Sequence, residues 1–374
     1  MDVEKIITID RLAFGGEGVG RDEGKVIFVP WTAPGDKVRV RIVSDHGRYE
    51  RGELVEVLER SEERIEPLCG VFGLCGGCQW QHIRYETQLK FKEEILKETL
   101  VRTGQIPNPK VLPVIRAPDP WHYRSRIQLK VDESGEIGFY AARSHRVVSF
   151  DECQVADHRL NEKAAEIRKN GTRPAGEFDL SVNGKGVEIH EEAEEAKIFR
   201  QVNRAQNDQL VKTVLDFAFG NADIAFTRKK TLVELYAGAG NFTFPLADRA
   251  GMVFAVEENE KAVEMGIEQA EASGYANMEW IKGSAEWGLK KLYRRRTMVD
   301  TLVLDPPRRG AKEILDLIPV IRPRLIVYVS CDPVTLARDL NLLVRRHYRL
   351  EKIQPIDMFP QTYHIESVSQ LTLA

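Results

Sequence analysis

Short runs in which apolar and polar residues alternate fill residues 1–60: KVIFVP (25–30), KVRVRIV (37–43) and GELVEVLE (52–59), separated by turns such as APGD. Alternation with period two predicts strands with one buried face. GGEGVGR at 15–21 adds flexible backbone before the second strand. Strands at this spacing suit a five-stranded OB-like barrel, a common platform for single-stranded nucleic acid. Between 61 and 198 the pattern predicts a helix from about Tyr85 to Thr103 and strands at 123–131, 136–141 and 146–150, then a charged surface segment, HEEAEEAKIF, at 190–199. From about residue 199 apolar runs alternate with helical stretches. TLVELY (231–236), MVFAVE (252–257), MEWI (278–281), DTLVLD (300–305) and RLIVYVS (324–330) read as strands, and 258–273, 311–319 and 333–346 as helices. That alternation predicts a doubly wound parallel sheet with its ligand at the carboxyl ends of the strands. The expected units are 1–60, 61–198 and 199–374.

Composition changes this picture little. A formal charge of −3 over 374 residues argues against a polycation that wraps nucleic acid, though arginines gather at 39–51, 124–146, 294–296 and 308–309. The chain opens on the polar MDVEKI, and no run approaches the ~18 apolar residues of a membrane span, so a cytoplasmic, monomeric protein is expected.

The cysteines change it more. Cys69, Cys75 and Cys78 form a Cys-x5-Cys-x2-Cys group, and Cys153 follows in SFDECQVADH. Free cysteines are often small buried hydrophobes. Three within ten residues point instead to metal, and four thiols suffice for an iron–sulfur cluster or a zinc ion. The fifth, Cys331, ends the apolar run IVYVS, with Asp332 as an expected N-cap and Pro333 in the first helical turn. A helix N-terminus favours a thiolate, and Asp332 opposes it.

ELYAGAGNFTFPLA (234–247) reads as strand, glycine turn and helix, with Gly238 and Gly240 permitting close approach of a ligand. A dinucleotide fingerprint would place a third glycine at Thr243. Glu257, ending the next strand, is placed to bind ribose hydroxyls, so NAD and S-adenosylmethionine stand level on these motifs. DPPRRG (305–310) ends the fourth strand, with Asp305 towards the crevice and Arg308 and Arg309 available to an anionic backbone. Arg308 stands where adenine-N6 methyltransferases carry an aromatic residue after their Pro-Pro, and the Cys that 5-methylcytosine enzymes carry after Asp-x-Pro is absent here. His364 and Glu366 precede the last strand.

FRQVNRAQN (199–207), LYAGAGNFTFPLA, VEEN (256–259), DPPRRG, VSCDP and FPQTYHIESV, in that order, resemble the RNA uracil-C5 methyltransferase family. The N-terminal barrel is similar to a TRAM domain, and the four-cysteine pattern to the family's 4Fe–4S ligands. The resemblance implies a Rossmann-like class I methyltransferase domain, S-adenosylmethionine as methyl donor and RNA as partner. It implies Cys331 as nucleophile, Glu366 as base, and Gln201, Tyr236, Gly238, Gly240, Asn241, Glu257, Ser284 and Asp305 at the cofactor. Ala237 stands where many relatives have Cys, Ser284 where Asn is frequent, and Asp332 where Asn is common. The four cysteines favour 23S ribosomal RNA over tRNA as substrate. Two readings of other classes compete: an iron–sulfur NAD oxidoreductase, opposed by Thr243, and a noncatalytic RNA-binding protein, opposed by the presence of both Cys331 and Glu366.

Overall fold

The computed structural model describes residues 3–171, 173–190 and 201–374, so nearly all of the charged segment 190–199, and Phe199 and Arg200 of the FRQVNRAQN motif, lie outside the described residues. Strands β1 (Glu4–Leu12), β2 (Gly18–Asp22), β3 (Lys25–Val29), β4 (Lys37–Asp45) and β5 (Tyr49–Glu59) close into a barrel in the order β1-β2-β3-β5-β4. Ile7, Ile9, Ile27, Val29, Val38 and Val40 fill it, on the alternate positions that period two requires. Burying side chains of this size stabilises by roughly 1.5–3 kcal/mol each.

Helix α1 (Tyr85–Arg102) leads away from the barrel. A second sheet follows, of β6 (Arg126–Val131), β7 (Ile137–Tyr140), β8 (Val147–Val148), β9 (Gly176–Asn183) and β10 (Gly186–His190), in the order β10-β9-β6-β7-β8. Helix α2 (His158–Lys169) closes it through Leu160, Ala164 and Ile167, which meet Leu129, Phe178 and Leu180. The sequence pattern did not predict α2, β9 or β10. Helix α2 shows only four apolar residues, two of them alanines, among charges, and β10 is a five-residue half-exposed hairpin arm.

The remaining elements are α3 (Arg204–Phe219), α4 (Ile224–Thr227), β11 (Thr231–Leu235), α5 (Thr243–Ala247), β12 (Met252–Glu257), α6 (Glu260–Ala272), β13 (Met278–Lys282), α7 (Ala285–Arg294), β14 (Thr301–Leu304), α8 (Ile318–Ile321), β15 (Leu325–Ser330), α9 (Pro333–Val344), β16 (Tyr348–Ile356) and β17 (Glu366–Leu373). Their sheet runs β13-β12-β11-β14-β15-β17-β16, the Rossmann-like class I methyltransferase architecture. It is not wholly parallel: β17 runs antiparallel to both neighbours. The helix expected at 311–319 is a 3-10 turn (Lys312–Ile314) followed by α8, because Pro319 can open a helical turn but cannot continue one. Glu366 is the first residue of the last strand rather than a residue before it.

Strand order reverses between β11 and β14, so their carboxyl ends flank the crevice where such sheets bind ligands. Helix α1 packs on this unit. Its Phe91, Ile95, Leu96 and Leu100 share one core with Leu235, Leu304, Leu336 and Leu340.

Candidate active site

The crevice begins where β11 ends. Tyr236 (φ 62°), Gly238 (φ 55°) and Gly240 (φ 101°) all take left-handed backbone, which turns the chain sharply before α5. A side chain at Gly240 would place its Cβ 2.6 Å from the Phe244 ring, so this turn requires glycine. Glu257 pins the turn from the next strand. Its Oε2 accepts from the Gly238 N–H and its Oε1 from the Asn259 N–H, each at 2.8 Å. Asn241 exchanges amide hydrogen bonds of 2.9 and 3.0 Å with Asn207 of α3, which ties FRQVNRAQN to the glycine turn. The sequence reading did not single out Asn207; its place at the end of a recognised motif was the available signal. The Oε1 of Gln201 is shielded from solvent and has no hydrogen-bond partner among the described residues, so it is an open acceptor.

The other cofactor candidates are partly occupied. The Tyr236 hydroxyl donates to Glu313 at 2.8 Å. Ser284 is exposed and caps α7, its Oγ accepting the Trp287 N–H at 3.2 Å. Asp305 follows β14, and burial pushes its carboxyl up to about 7. Beneath the turn, burial pushes Glu234 up to about 8 against the hydroxyl that Thr243 donates at 2.5 Å. The floor of the crevice is therefore acidic.

Strand register brings the reaction candidates together. Ser330, the last residue of β15, pairs with Ser367 of β17, so Cys331 follows one strand and Glu366 begins the other at the same end of the ladder, near enough for the carboxyl to act on the thiol. Glu366 is only 4% exposed, and its carboxyl is held well above the usual range by burial and then by Asp305, with Arg308 opposing. Cys331 is half-buried. Burial, Glu366 and Asp305 push its thiol up to about 12 against the pull of Arg308. The helix terminus does not win here, because Asp332 spends its carboxylate capping α9, accepting the Val334 and Thr335 N–H groups at 2.9 Å, and the carboxyls across the ladder add to burial. The resting group is a thiol. His364 is pushed the other way, to about 4, by burial and by Arg308, Lys92 and Arg124. Loop carbonyls of DPPRRG are anchored by α9, Thr335 donating to Arg308 and Arg338 to Arg309, which leaves both arginine side chains exposed.

Cys69, Cys75, Cys78 and Cys153 also converge, all as free thiols. Local hydrogen bonds hold the segments that carry them. Cys69 N–H donates to Gln81, Gly76 N–H to Tyr140 O, and Asn161 brackets Cys153 through both its N–H and its carbonyl. Burial raises Cys75 to about 11 and Cys78 to about 12. The half-buried Arg124 guanidinium acts on Cys75, Cys78 and Cys153, and its Nε, shielded from solvent, has no hydrogen-bond partner among the described residues. This pocket carries a cation with an unspent donor, and it fits an anionic thiolate-held group.

The fold and these motifs define a methyltransferase of the Rossmann-like type. Residues 177–373 match the model of the tRNA (Uracil-5-)-methyltransferase family, and residues 4–55 match the TRAM domain. The chain is 34% identical to an RNA methyltransferase of Thermosynechococcus vestitus, covering 98% of this chain and 97% of that one. It is 36% identical to an RNA methyltransferase of Bdellovibrio bacteriovorus, covering 98% and 94%. Among solved structures it resembles the Pyrococcus abyssi tRNA (uracil-54, C5)-methyltransferase in complex with S-adenosyl-L-homocysteine, with a TM-score of 0.71 at 23% identity over 98% of this chain and 100% of that one. The protein belongs to the tRNA (uracil-5-)-methyltransferase family and is an RNA methyltransferase. No helix among the described residues is long and apolar enough to cross a membrane.

Proposed function

We propose that the protein methylates carbon 5 of a uridine in RNA, with Cys331 as nucleophile and Glu366 as base. The observation that carries this reading is that the last β15–β17 pair, Ser330 with Ser367, brings Cys331 and Glu366 to one end of the ladder beside Asp305, where both carboxyls act on the thiol. Carbon 5 of uracil is a poor nucleophile. Addition of the Cys331 sulfur to carbon 6 turns it into an enolate carbon. S-adenosylmethionine supplies an electrophilic methyl group when bound. Glu366 then takes the carbon-5 proton, and breaking of the carbon–sulfur bond restores the ring and frees Cys331. Glu366 suits this step better than His364: burial raises its proton affinity above that of an ordinary carboxylate, while the His364 imidazole binds a proton more weakly than usual. The uridine must leave any stack, at a cost of a few kcal/mol. Arg308 and Arg309 are exposed to take phosphates while it does so.

The crevice fits the methyl donor's chemistry. Glu257 and Asp305 suit a cationic ligand, Gln201 offers an unpaired shielded acceptor, and Tyr236, Gly238, Gly240 and Asn241 form the adjoining turn. Ser284 stands at the rim with its hydroxyl engaged in capping, so its contact would come through its backbone. Cys69, Cys75, Cys78 and Cys153 would hold a 4Fe–4S cluster as a structural element. Tetrahedral zinc, with Zn–S of about 2.3 Å, needs sulfurs about 3.8 Å apart. Among the described residues the side chains whose ligand atoms gather within 4.8 Å are His122, Glu152 and His158, not these cysteines. Residues 1–60 would hold RNA, 61–198 carry the cluster and 199–374 perform the chemistry.

We assign the target to 23S ribosomal RNA on the four-cysteine pattern. The second reading is a tRNA uridine, favoured by the named target of the Pyrococcus abyssi protein. Mass mapping of 5-methyluridine in rRNA and tRNA from a deletion strain tests both. Loss from 23S rRNA alone is expected, loss from tRNA alone selects the second reading, and loss from neither overturns the function.

A further inference from the structure

Between β16 and Glu366 the chain makes a connection, 357–365, that is buried along most of its length. Connections normally lie at the surface, because buried backbone polar groups need partners. Here every carbonyl from Asp357 to Gln361 has one, from outside the strands that it joins. Asp357 O accepts from Gln206 (3.0 Å), Met358 O from Asn203 (3.1 Å), Phe359 O from Lys92 (3.0 Å) and Pro360 O from Tyr123 (3.0 Å). Gln361 O accepts the N–H groups of both Gln79 and Trp80, each at 3.0 Å. Links from three α1 side chains complete the set. Gln88 and Gln361 form a reciprocal pair, Gln88 Nε2 donating to Gln361 Oε1 at 2.9 Å and Gln88 Oε1 accepting from Gln361 N–H at 3.0 Å. Lys92, 1% exposed, meets Asp357, 0% exposed, at 2.5 Å, and Tyr85 donates to the other Asp357 oxygen at 2.7 Å. Gln361 itself is held at φ 66°, a left-handed conformation that persists in a residue with a side chain only where surroundings fix it.

We infer that Gln88 and Lys92 of α1 are positioning residues for proton removal: they clamp the 357–361 connection and so fix the line along which Glu366 approaches the carbon-5 proton. This rests on the proposed role of Glu366. Neither residue is among the groups that act on the Cys331 thiol, and neither belongs to the cofactor crevice. Lys92 reaches the connection through Phe359 O and the Asp357 carboxylate, and Gln88 through the amide and N–H of Gln361. Burial alone does not require such a clamp, since a hydrophobic connection of the same length could be packed without a buried lysine. A base displaced by a fraction of an ångström loses rate steeply, whereas bond formation at Cys331, which is set by β15, does not depend on this connection.

The test compares Gln88→Leu with Glu366→Gln in the cluster-containing enzyme, using labelled S-adenosylmethionine and an RNA that the wild type methylates. Gln88→Leu is expected to bind RNA within about twofold of wild type and to transfer one methyl group. It should then accumulate the methylated covalent adduct on a denaturing gel, with turnover down at least about tenfold, short of the ~10²–10⁴-fold of losing a base outright. Tyr85→Phe, which removes one hydroxyl from the same network, should show the same adduct at a smaller fraction, and it serves if Gln88→Leu does not fold. An adduct in Glu366→Gln with none in either α1 variant overturns the inference alone. No adduct in Glu366→Gln overturns the assignment of the base, and this inference with it. Lower turnover in the α1 variants with lost RNA binding and no adduct marks a purely structural clamp and also overturns it.

Discussion

Two sets of buried thiols in this protein sit in opposite electrostatic surroundings. Burial raises both, Cys75 and Cys78 to about 11 and 12 and Cys331 to about 12. Around the central thiols the charge effects come from the other cysteines of the set and from a cation, Arg124, with a donor still unspent. Around Cys331 the largest charge effects come from carboxyls, Glu366 and Asp305. The first environment waits for negative charge to arrive and stay. The second keeps its sulfur protonated until something displaces the balance, which suits a group that must react once per turnover and be released. Burial is common to both; the neighbours separate the proposed ligand set from the proposed nucleophile.

The sharpest break of that comparison is by substitution within each set. Cys331→Ala should lower methylation below detection, leave RNA bound only noncovalently, and preserve the visible absorbance of a thiolate-held iron–sulfur cluster. Cys75→Ser should bleach that absorbance and destabilise the second sheet. A colourless wild type holding stoichiometric zinc after anaerobic purification would sink the cluster assignment. Next in size, Glu366→Gln should lose ~10²–10⁴-fold in turnover and stall as a methylated adduct, while His364→Gln stays near wild type. The reverse pattern would make His364 the base. Glu257→Ala should weaken S-adenosylmethionine binding by ~1.5–3 kcal/mol, the worth of hydrogen bonds to a charged group, with RNA affinity unchanged. Calorimetry showing equal loss of both would assign Glu257 to folding. The smallest effect concerns the resting thiol. An acid held at about 12 is protonated below that pH, so its thiolate fraction, and its alkylation by iodoacetamide, should rise tenfold per pH unit from pH 6 to 9 without levelling. Peptide mass spectrometry that finds a plateau near 8.5 would show that Glu366 and Asp305 do not restrain Cys331.

Much of the scaffold was legible because β11, β12, β14 and β15 are fully or nearly apolar runs bounded by Gly, Asp and Pro. What escaped was written in another grammar. Strand β16, YRLEKIQPI, mixes charges with apolar residues and includes Pro355, as only an edge strand can. Helix α7 carries Gly288 in its middle, a poor helix residue, yet a Cβ there would lie 2.5 Å from Val256. Among the site residues Cys331, Glu366 and the four clustered cysteines stood out by type and spacing. Gln88 and Lys92 did not, since polar residues in a helix rich in Glu and Lys read as a solvated face. A signal was present all the same: 88, 92, 96 and 100 form one i,i+4 row, and Leu96 and Leu100 place that row in the core. The raised Cys331 thiol was not legible, because Glu366 lies 35 residues away and meets it only through strand pairing.

The reversal of β17 carries a consequence for how this site can change. Had that strand run parallel to β15, its first residue would lie at the far end of the sheet, about 20 Å from the end of a six-residue strand. Running backwards, it starts where β15 finishes, so sulfur and carboxyl face each other across one rung. Their separation is thereby digital. A one-residue insertion inside β17 would turn the carboxyl to the opposite face, and a two-residue insertion would return it to the correct face about 7 Å out of place. The hydrogen-bond ladder sets the register of the two groups, and the connection 357–361 that leads into β17 is held in turn by α1.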